Sequence, residues 1–122
     1  MAKLNESVRA RLKRKAHIRK RLMGSPERPR LSVFRSARHI YAQVIDDANH
    51  RTIAAASTLD KEFKEAFVGG KKADAAVIVG KLIAKKCLAN NVQAVVFDRN
   101  GFIYHGRVAK LAEGAREGGL KF

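Results

Sequence analysis

Cysteine is nearly absent: Cys87 stands alone among 122 residues. No internal disulfide can form, and the composition suits a reducing cytosol. Long apolar runs are missing too. Nowhere do about 18 uncharged apolar residues follow one another, and the basic N-terminus leads into no hydrophobic stretch of signal-peptide length, so neither membrane spanning nor secretion is expected. Signs of enzyme chemistry are equally thin. His17, His39, His50 and His105 have no metal-ligand spacing, and Gly69-Gly70-Lys71-Lys72 has the wrong spacing for a Walker or Rossmann phosphate loop. Asp46, Asp47 and Asp98, near expected strand ends, could bring Mg²⁺ to a nucleic acid for cleavage, but no fourth carboxylate completes a constellation. The expectation is a protein that is not an enzyme, with no catalytic residue, no metal and no cofactor.

Acidic residues are scarce: 11 Asp and Glu face 26 Lys and Arg, for a net charge of +15 at pH 7. The imbalance is local. Residues 1–38 hold thirteen basic and two acidic side chains, a net of +11, whereas residues 39–122 hold thirteen and nine, a net of +4. Nine of the first twenty-one residues are cationic (Lys3, Arg9, Arg11, Lys13, Arg14, Lys15, Arg19, Lys20 and Arg21), against Glu6 alone. Such a cluster repels itself and gains little from packing, so its natural counterpart is a polyanion, above all nucleic acid. Lys and Arg neutralise phosphates and release counterions, which supplies affinity without reading sequence. A chain of this length buries roughly two-thirds of its unfolded surface in one core. The organisation expected is a basic RNA-binding extension over residues 1–24 and a single α/β domain over residues 25–122.

Residues 5–23 contain no Gly or Pro and are rich in helix formers. Val8, Leu12 and Ala16 fall at i, i+4 spacing and would draw a thin apolar stripe on a cationic helix, one that repulsion opposes in free solution and binding would order. Gly24-Ser25-Pro26 and Pro29 mark the linker into the globular part. Residues 31–36 and 39–45 alternate β-branched or aromatic with polar residues, and residues 51–57 give a weaker third strand. Ile40, Ala42 and Val44 should face the core while Tyr41 and Gln43 face outward. A short helix and a flexible turn are expected over residues 59–72, then a helix over residues 73–91 carrying Ala76, Val79, Ile83 and Cys87 on its apolar face. Residues 93–97 read as a buried strand, Asn100-Gly101 as a tight turn, and residues 102–104 as a short return. Val108, Leu111, Ala112 and Ala115 mark a last helix that Gly118-Gly119 would cap. The order is β-β-β-α-β-α: a small mixed sheet with helices packed on one face.

Two further groups carry binding chemistry. Arg28, Arg30, Arg35, Ser36, Arg38, His39 and Tyr41 surround the first two strands, where planar guanidinium groups and an aromatic ring can clamp phosphates and stack on unpaired bases. Between Arg99 and Arg107 lie Tyr104, His105 and Gly106; the Tyr and His tips can hydrogen-bond phosphate or 2′-hydroxyl groups. Arg107 opens the last helix, whose free amides can hold a phosphate. By themselves the residues leave open a free-standing RNA chaperone or a DNA-binding protein using the same arm.

The motifs Arg28-Pro29-Arg30-Leu31-Ser32-Val33-Phe34-Arg35-Ser36, His39-Ile40-Tyr41-Ala42-Gln43-Val44-Ile45-Asp46-Asp47 and Val95-Val96-Phe97-Asp98-Arg99 resemble the family of the bacterial large-subunit ribosomal protein number eighteen. So do Tyr104-His105-Gly106-Arg107-Val108, the most specific stretch, and Ala115-Arg116-Glu117. The resemblance covers essentially the whole chain. It implies a small α/β fold with a basic N-terminal extension, binding to 5S rRNA, attachment of 5S rRNA to 23S rRNA in the central protuberance beside neighbouring ribosomal proteins, and a cytoplasmic place in the ribosome. Arg28, Arg30, Arg35, Ser36, His39 and Tyr41 match the family's first-strand surface. Arg99, Tyr104, His105 and Arg107 match its loop before the last helix. Cys87 is outside the family pattern, and Asp98 matches it as a residue that orients Arg99 or caps a turn.

Overall fold

A computed structural model describes residues 6–19 and 24–122. The chain runs α1 (Glu6–Arg19), β1 (Arg30–Arg35), β2 (Ile40–Asp46), β3 (Arg51–Ser57), α2 (Lys61–Ala66), α3 (Lys72–Ala89), β4 (Val96–Asp98) and α4 (Arg107–Glu117). Short connections make β1, β2 and β3 an antiparallel meander. The α2–α3 segment then carries the chain back across the sheet, so β4 joins the far side of β1 in parallel and the strand order is β3-β2-β1-β4. This is the mixed sheet with helices on one face that the residue pattern implies. No helix of the described residues is long and apolar enough to cross a membrane.

Alternation divides the sheet. Leu31, Val33, Ile40, Ala42, Val44, Ala54 and Ala56 are buried in one cluster with Val79, Ile83 and Cys87 of α3 and Val108, Leu111 and Ala115 of α4. Where α3 crosses α4, Gly80 faces the Leu111 carbonyl and Gly114 faces the Val77 carbonyl so closely that a Cβ at either position would strike backbone. The two helices therefore meet backbone to backbone. Cys87 is fully buried in this core, and burial pushes its thiol up to about 11. A raised folded-state value keeps the thiol protonated at neutral pH, so Cys87 should resist Ellman's reagent in the native protein and react stoichiometrically once unfolded in guanidinium. Prompt native labelling would show that the α3 face opens.

Two expectations are corrected. Residues 102–104 form no return strand. Asn100 and Gly101 do turn through the left-handed region, with φ of 54° and 78°, but the chain then coils into α4 while the C-terminus takes up pairing beside residues 93–95. Val95 N–H donates to Lys121 O, Lys121 N–H donates to Gln93 O, and Ala94 bridges Lys121 in parallel. Phe122 stacks on Phe97 at 5.5 Å and Tyr104 meets the Phe97 ring edge-on at 5.7 Å, so aromatic packing occupies that edge. Second, the buried strand read over residues 93–97 is regular only over Val96–Asp98. The thin apolar stripe on α1 is too narrow to seat the helix, and Leu12 and Ala16 face solvent.

Candidate nucleic-acid interface

The helix α1 is held to the domain by its arginines. Arg11 Nη1 donates to Asn100 O at 3.0 Å and Arg14 Nε donates to Gly101 O at 2.8 Å. The Arg11 guanidinium also lies over Phe102, 4.7 Å from the ring centroid, and 5.9 Å from that of Phe34. Phe34 and Phe102 meet edge to face at 5.7 Å, and Arg35 approaches Phe102 from another side at 5.2 Å. Cation–π contacts of this kind contribute about 0.5–1 kcal/mol each at exposed sites. A cationic helix thus packs on a protein surface by offering guanidinium planes to rings and carbonyls.

The seat for α1 is the Asn100–Gly101 turn, whose shape is fixed from below. Asp98 Oδ1 accepts the Asn100 amide at 2.8 Å. Gly101 lies so close to α1 that an added Cβ would strike the Arg11 carbonyl and the Lys15 backbone. Gly101→Val should therefore release α1 while the sheet and α3–α4 core stay folded, at a cost of roughly 1–3 kcal/mol for a non-glycine residue held at positive φ. Amide exchange checks this. Exchange in residues 6–19 should speed up while α3 stays protected, and unchanged α1 protection would show that the turn is not its seat.

Arg30 corrects the expectation that it belongs to an exposed basic cluster. Only 5% exposed, it lies on the sheet face away from α3 and is clasped by two carboxylates. Arg30 Nε and Nη2 donate to Asp47 Oδ2 and Oδ1 at 3.0 and 3.1 Å, and Arg30 Nη1 donates to Asp98 Oδ2 at 2.8 Å. Burial alone would lower the Arg30 pKa, but the hydrogen bonds that it donates to Asp47 and Asp98, with their charges, outweigh it and raise the value. Asp47 Oδ2 also accepts the Gly24 amide at 2.7 Å, tying the linker to the sheet. Asp98 caps the turn as expected, but orients Arg30 rather than Arg99.

These partners also account for the three aspartates considered for Mg²⁺. Asp46 is held below the ordinary carboxylate range, first by the Asn49 side chain and then by the Asn49 and Ala48 amides, while burial pulls the other way. Asp47 and Asp98 face Arg30. Among the described residues no three His, Cys, Asp or Glu gather to hold a metal ion.

The other expected residues fall into three places. Arg9 and Lys13 are exposed on α1, and Lys15 is half-buried against the sheet. Lys3, Lys20 and Arg21 lie outside the described residues, and Arg19 is the last residue of α1. Arg28 is exposed in the linker before β1, and at the β1–β2 hairpin Arg35 and Arg38 are exposed. Ser36 and His39 close the turn there: Ser36 N–H donates to His39 O at 2.8 Å, and His39 N–H donates to Ser36 Oγ at 3.1 Å. His39 Nδ1 lies 2.9 Å from Thr58 Oγ1, and Tyr41 follows, half-buried. In the loop before α4, His105 is exposed. Tyr104 also exposes its ring, although Arg116 Nη1 reaches its hydroxyl at 3.4 Å. Arg99 and Arg107 are more engaged. Arg99 Nη1 donates to Phe102 O at 2.8 Å, and Arg107 Nη2 donates to Ser36 O at 2.7 Å, bracing α4 against the hairpin. Burial, then the nearby Arg35 charge, lowers the Arg107 pKa.

The sheet face away from α3 is open, and α1 forms one wall of a groove across it. Ser32, Phe34, Tyr41, Gln43 and Ile45 line its floor, with Lys15, Arg30 and Asn100 around them, enclosing about 470 Å³. A second hollow of about 200 Å³ lies at the hairpin tip, where Arg38 and His39 meet Lys71, Lys72 and the rings of Phe63 and Phe67. Sequence reading missed Phe34, Phe102, Lys71 and Lys72. Phe34 was within reach, because it shares strand parity with Ser32 and so faces away from the core. Lys71 and Lys72 were not, because only the chain crossing behind the sheet brings them to Arg38.

The family described as Ribosomal L18 of archaea, bacteria, mitochondria and chloroplast matches residues 5–122 of this chain. Over 115 residues the chain is 62% identical to a large ribosomal subunit protein uL18 of Myxococcus xanthus, an alignment spanning 94% of this chain and 97% of that protein. It is 58% identical over 113 residues to the uL18 of Halalkalibacterium halodurans, spanning 93% and 92%. With the uL18 of Desulfatibacillum aliphaticivorans it shares 57% identity over 122 residues, spanning 100% of both.

Proposed function

The chain belongs to the ribosomal L18 family, whose members are structural proteins of the large ribosomal subunit, and from that premise we propose that it binds 5S rRNA and helps attach it to 23S rRNA in the central protuberance. The observation that carries this reading is the joint surface built by α1, the open sheet face and the Asn100–Gly101 turn. There, cations from three parts of the chain surround exposed aromatic rings, the combination suited to folded RNA with unpaired bases. In this reading residues 1–24 are the RNA-binding extension and residues 25–122 the domain that fits the folded target. The hollow at the hairpin tip, with Arg38, Lys71 and Lys72, offers a separate basic surface, as a protein joining two RNAs requires. Lys and Arg supply electrostatic capture, and the fixed sheet and turn supply shape. Its place of action is then the cytoplasmic ribosome, among neighbouring proteins of the subunit.

Competition tests this reading. With labelled 5S rRNA bound to the full chain, unlabelled 5S rRNA should compete far better than duplex DNA of equal charge, and the protein should sediment with large subunits. Equal competition by the duplex would instead favour a general nucleic-acid binder acting through its charge alone.

A further inference from the structure

We infer that the groove between α1 and the open sheet face is a pocket for one unstacked nucleobase of the bound RNA, with the adjoining phosphate at Lys15. This inference rests on the proposed binding of 5S rRNA and adds what the groove recognises. Its floor is uncharged: Phe34 and Tyr41 lie side by side with ring centroids 6.0 Å apart, flanked by Ser32, Gln43 and Ile45. Phe34 is 45% exposed, so part of its ring surface is available for a base to stack on. The space, about 470 Å³, lies within the roughly 300–1,000 Å³ of small-ligand sites and admits a base with its sugar.

The charges decide between a base and a phosphate in the groove. Arg30 lines one end but is already clasped by Asp47 and Asp98, so it offers no charge to an anion. Lys15 lies on the α1 wall and is half-buried. A phosphate is thus drawn to that wall, and the base lies across Tyr41 and Phe34. The exposed Gln43 carboxamide donates and accepts, and so matches the hydrogen-bonding edge of any base. Because α1 supplies one wall, the pocket exists only while Arg11 and Arg14 hold the Asn100–Gly101 turn.

The test uses the full chain and 5S rRNA, with affinities measured over a series of salt concentrations. Tyr41→Ala should weaken binding about tenfold or more while leaving the slope of log K against log salt unchanged, because stacking releases no counterions. Tyr41→Phe keeps the ring and should bind within about twofold of the parent. Lys15→Ala should reduce the slope by about 0.7–0.9, the signature of one lost phosphate. Ultraviolet irradiation of the parent complex should crosslink Tyr41 or Phe34 to a single nucleotide, a readout that needs no variant to fold. Parent-like binding by Tyr41→Ala, or no crosslink at either ring, would overturn the base pocket and leave RNA binding standing. Failure of the parent chain itself to bind 5S rRNA would remove the proposed function and this inference together.

Discussion

Arg30→Ala is expected to lower the unfolding free energy by about 3–5 kcal/mol, the range for removing one partner of a buried ion pair. Asp98 is fully buried, and without the guanidinium at 2.8 Å its carboxylate keeps, among the described residues, only the Asn100 amide. Asp47 loses both of its Arg30 bonds, so the anchor of Gly24 to the sheet loosens as well. For a domain with about 5–15 kcal/mol of stability this is a large fraction. The penalty comes from the stranded charge rather than from the missing side chain. Arg30→Met combined with Asp98→Asn, which neutralises the buried site, should recover much of the loss, and urea unfolding of the three proteins measures it. A loss below about 1 kcal/mol for Arg30→Ala would mean that the Asp98 carboxylate finds another partner. Because Asp98 also fixes the turn that seats α1, Arg30→Ala should speed amide exchange in residues 6–19 even though no residue of α1 has changed.

Arg30 also shows where sequence reasoning stops. Strand alternation places it on the same face as Ser32 and Phe34, and that is where it lies. Nothing local says that carboxylates 17 and 68 positions away converge on it, because Asp47 arrives by the hairpin and Asp98 by the crossover through α2 and α3. The meander was legible for the opposite reason. One face of β1 and β2 is buried, so a two-residue period is written into neighbouring positions. The apolar faces of α3 and α4 were legible from their 3.6-residue period. β4 was legible only as an apolar run, since three residues cannot carry a period and its parallel partner is distant. The parallel pairing of Lys121 beside Ala94 left no mark at all, and with it went the true fate of residues 102–104. In the interface, the types and rough positions of the cations were readable. Which of them grip the protein was not: Arg11 and Arg14 look like Arg9 and Lys13 until the Asn100–Gly101 turn is in place.

That division within the arm sets the largest expected effect on binding. Removing residues 1–23 should leave the α/β domain folded, because α1 is bound through two carbonyl hydrogen bonds and cation–π contacts that together contribute only about 2–3 kcal/mol, and none of its described side chains is buried in the core. Of the nine cations in residues 1–21, Arg11 and Arg14 face the domain, whereas Arg9 and Lys13 are exposed on α1. Each phosphate contact contributes a slope of about 0.7–0.9 in log K against log salt, or roughly fivefold in affinity near 0.15 M salt. If four cations of the arm engage phosphate, the truncated protein should bind 5S rRNA about 10²–10³-fold more weakly, with a slope flatter by about 3. Gly101→Val supplies the control, because it frees α1 without removing a charge. It should keep a slope close to the parent's and lose only the affinity that depends on a fixed arm. A truncated protein with an unchanged slope would mean that the arm never reaches phosphate and acts by shaping the groove on the open sheet face. In that case Gly101→Val and the truncation should weaken binding equally.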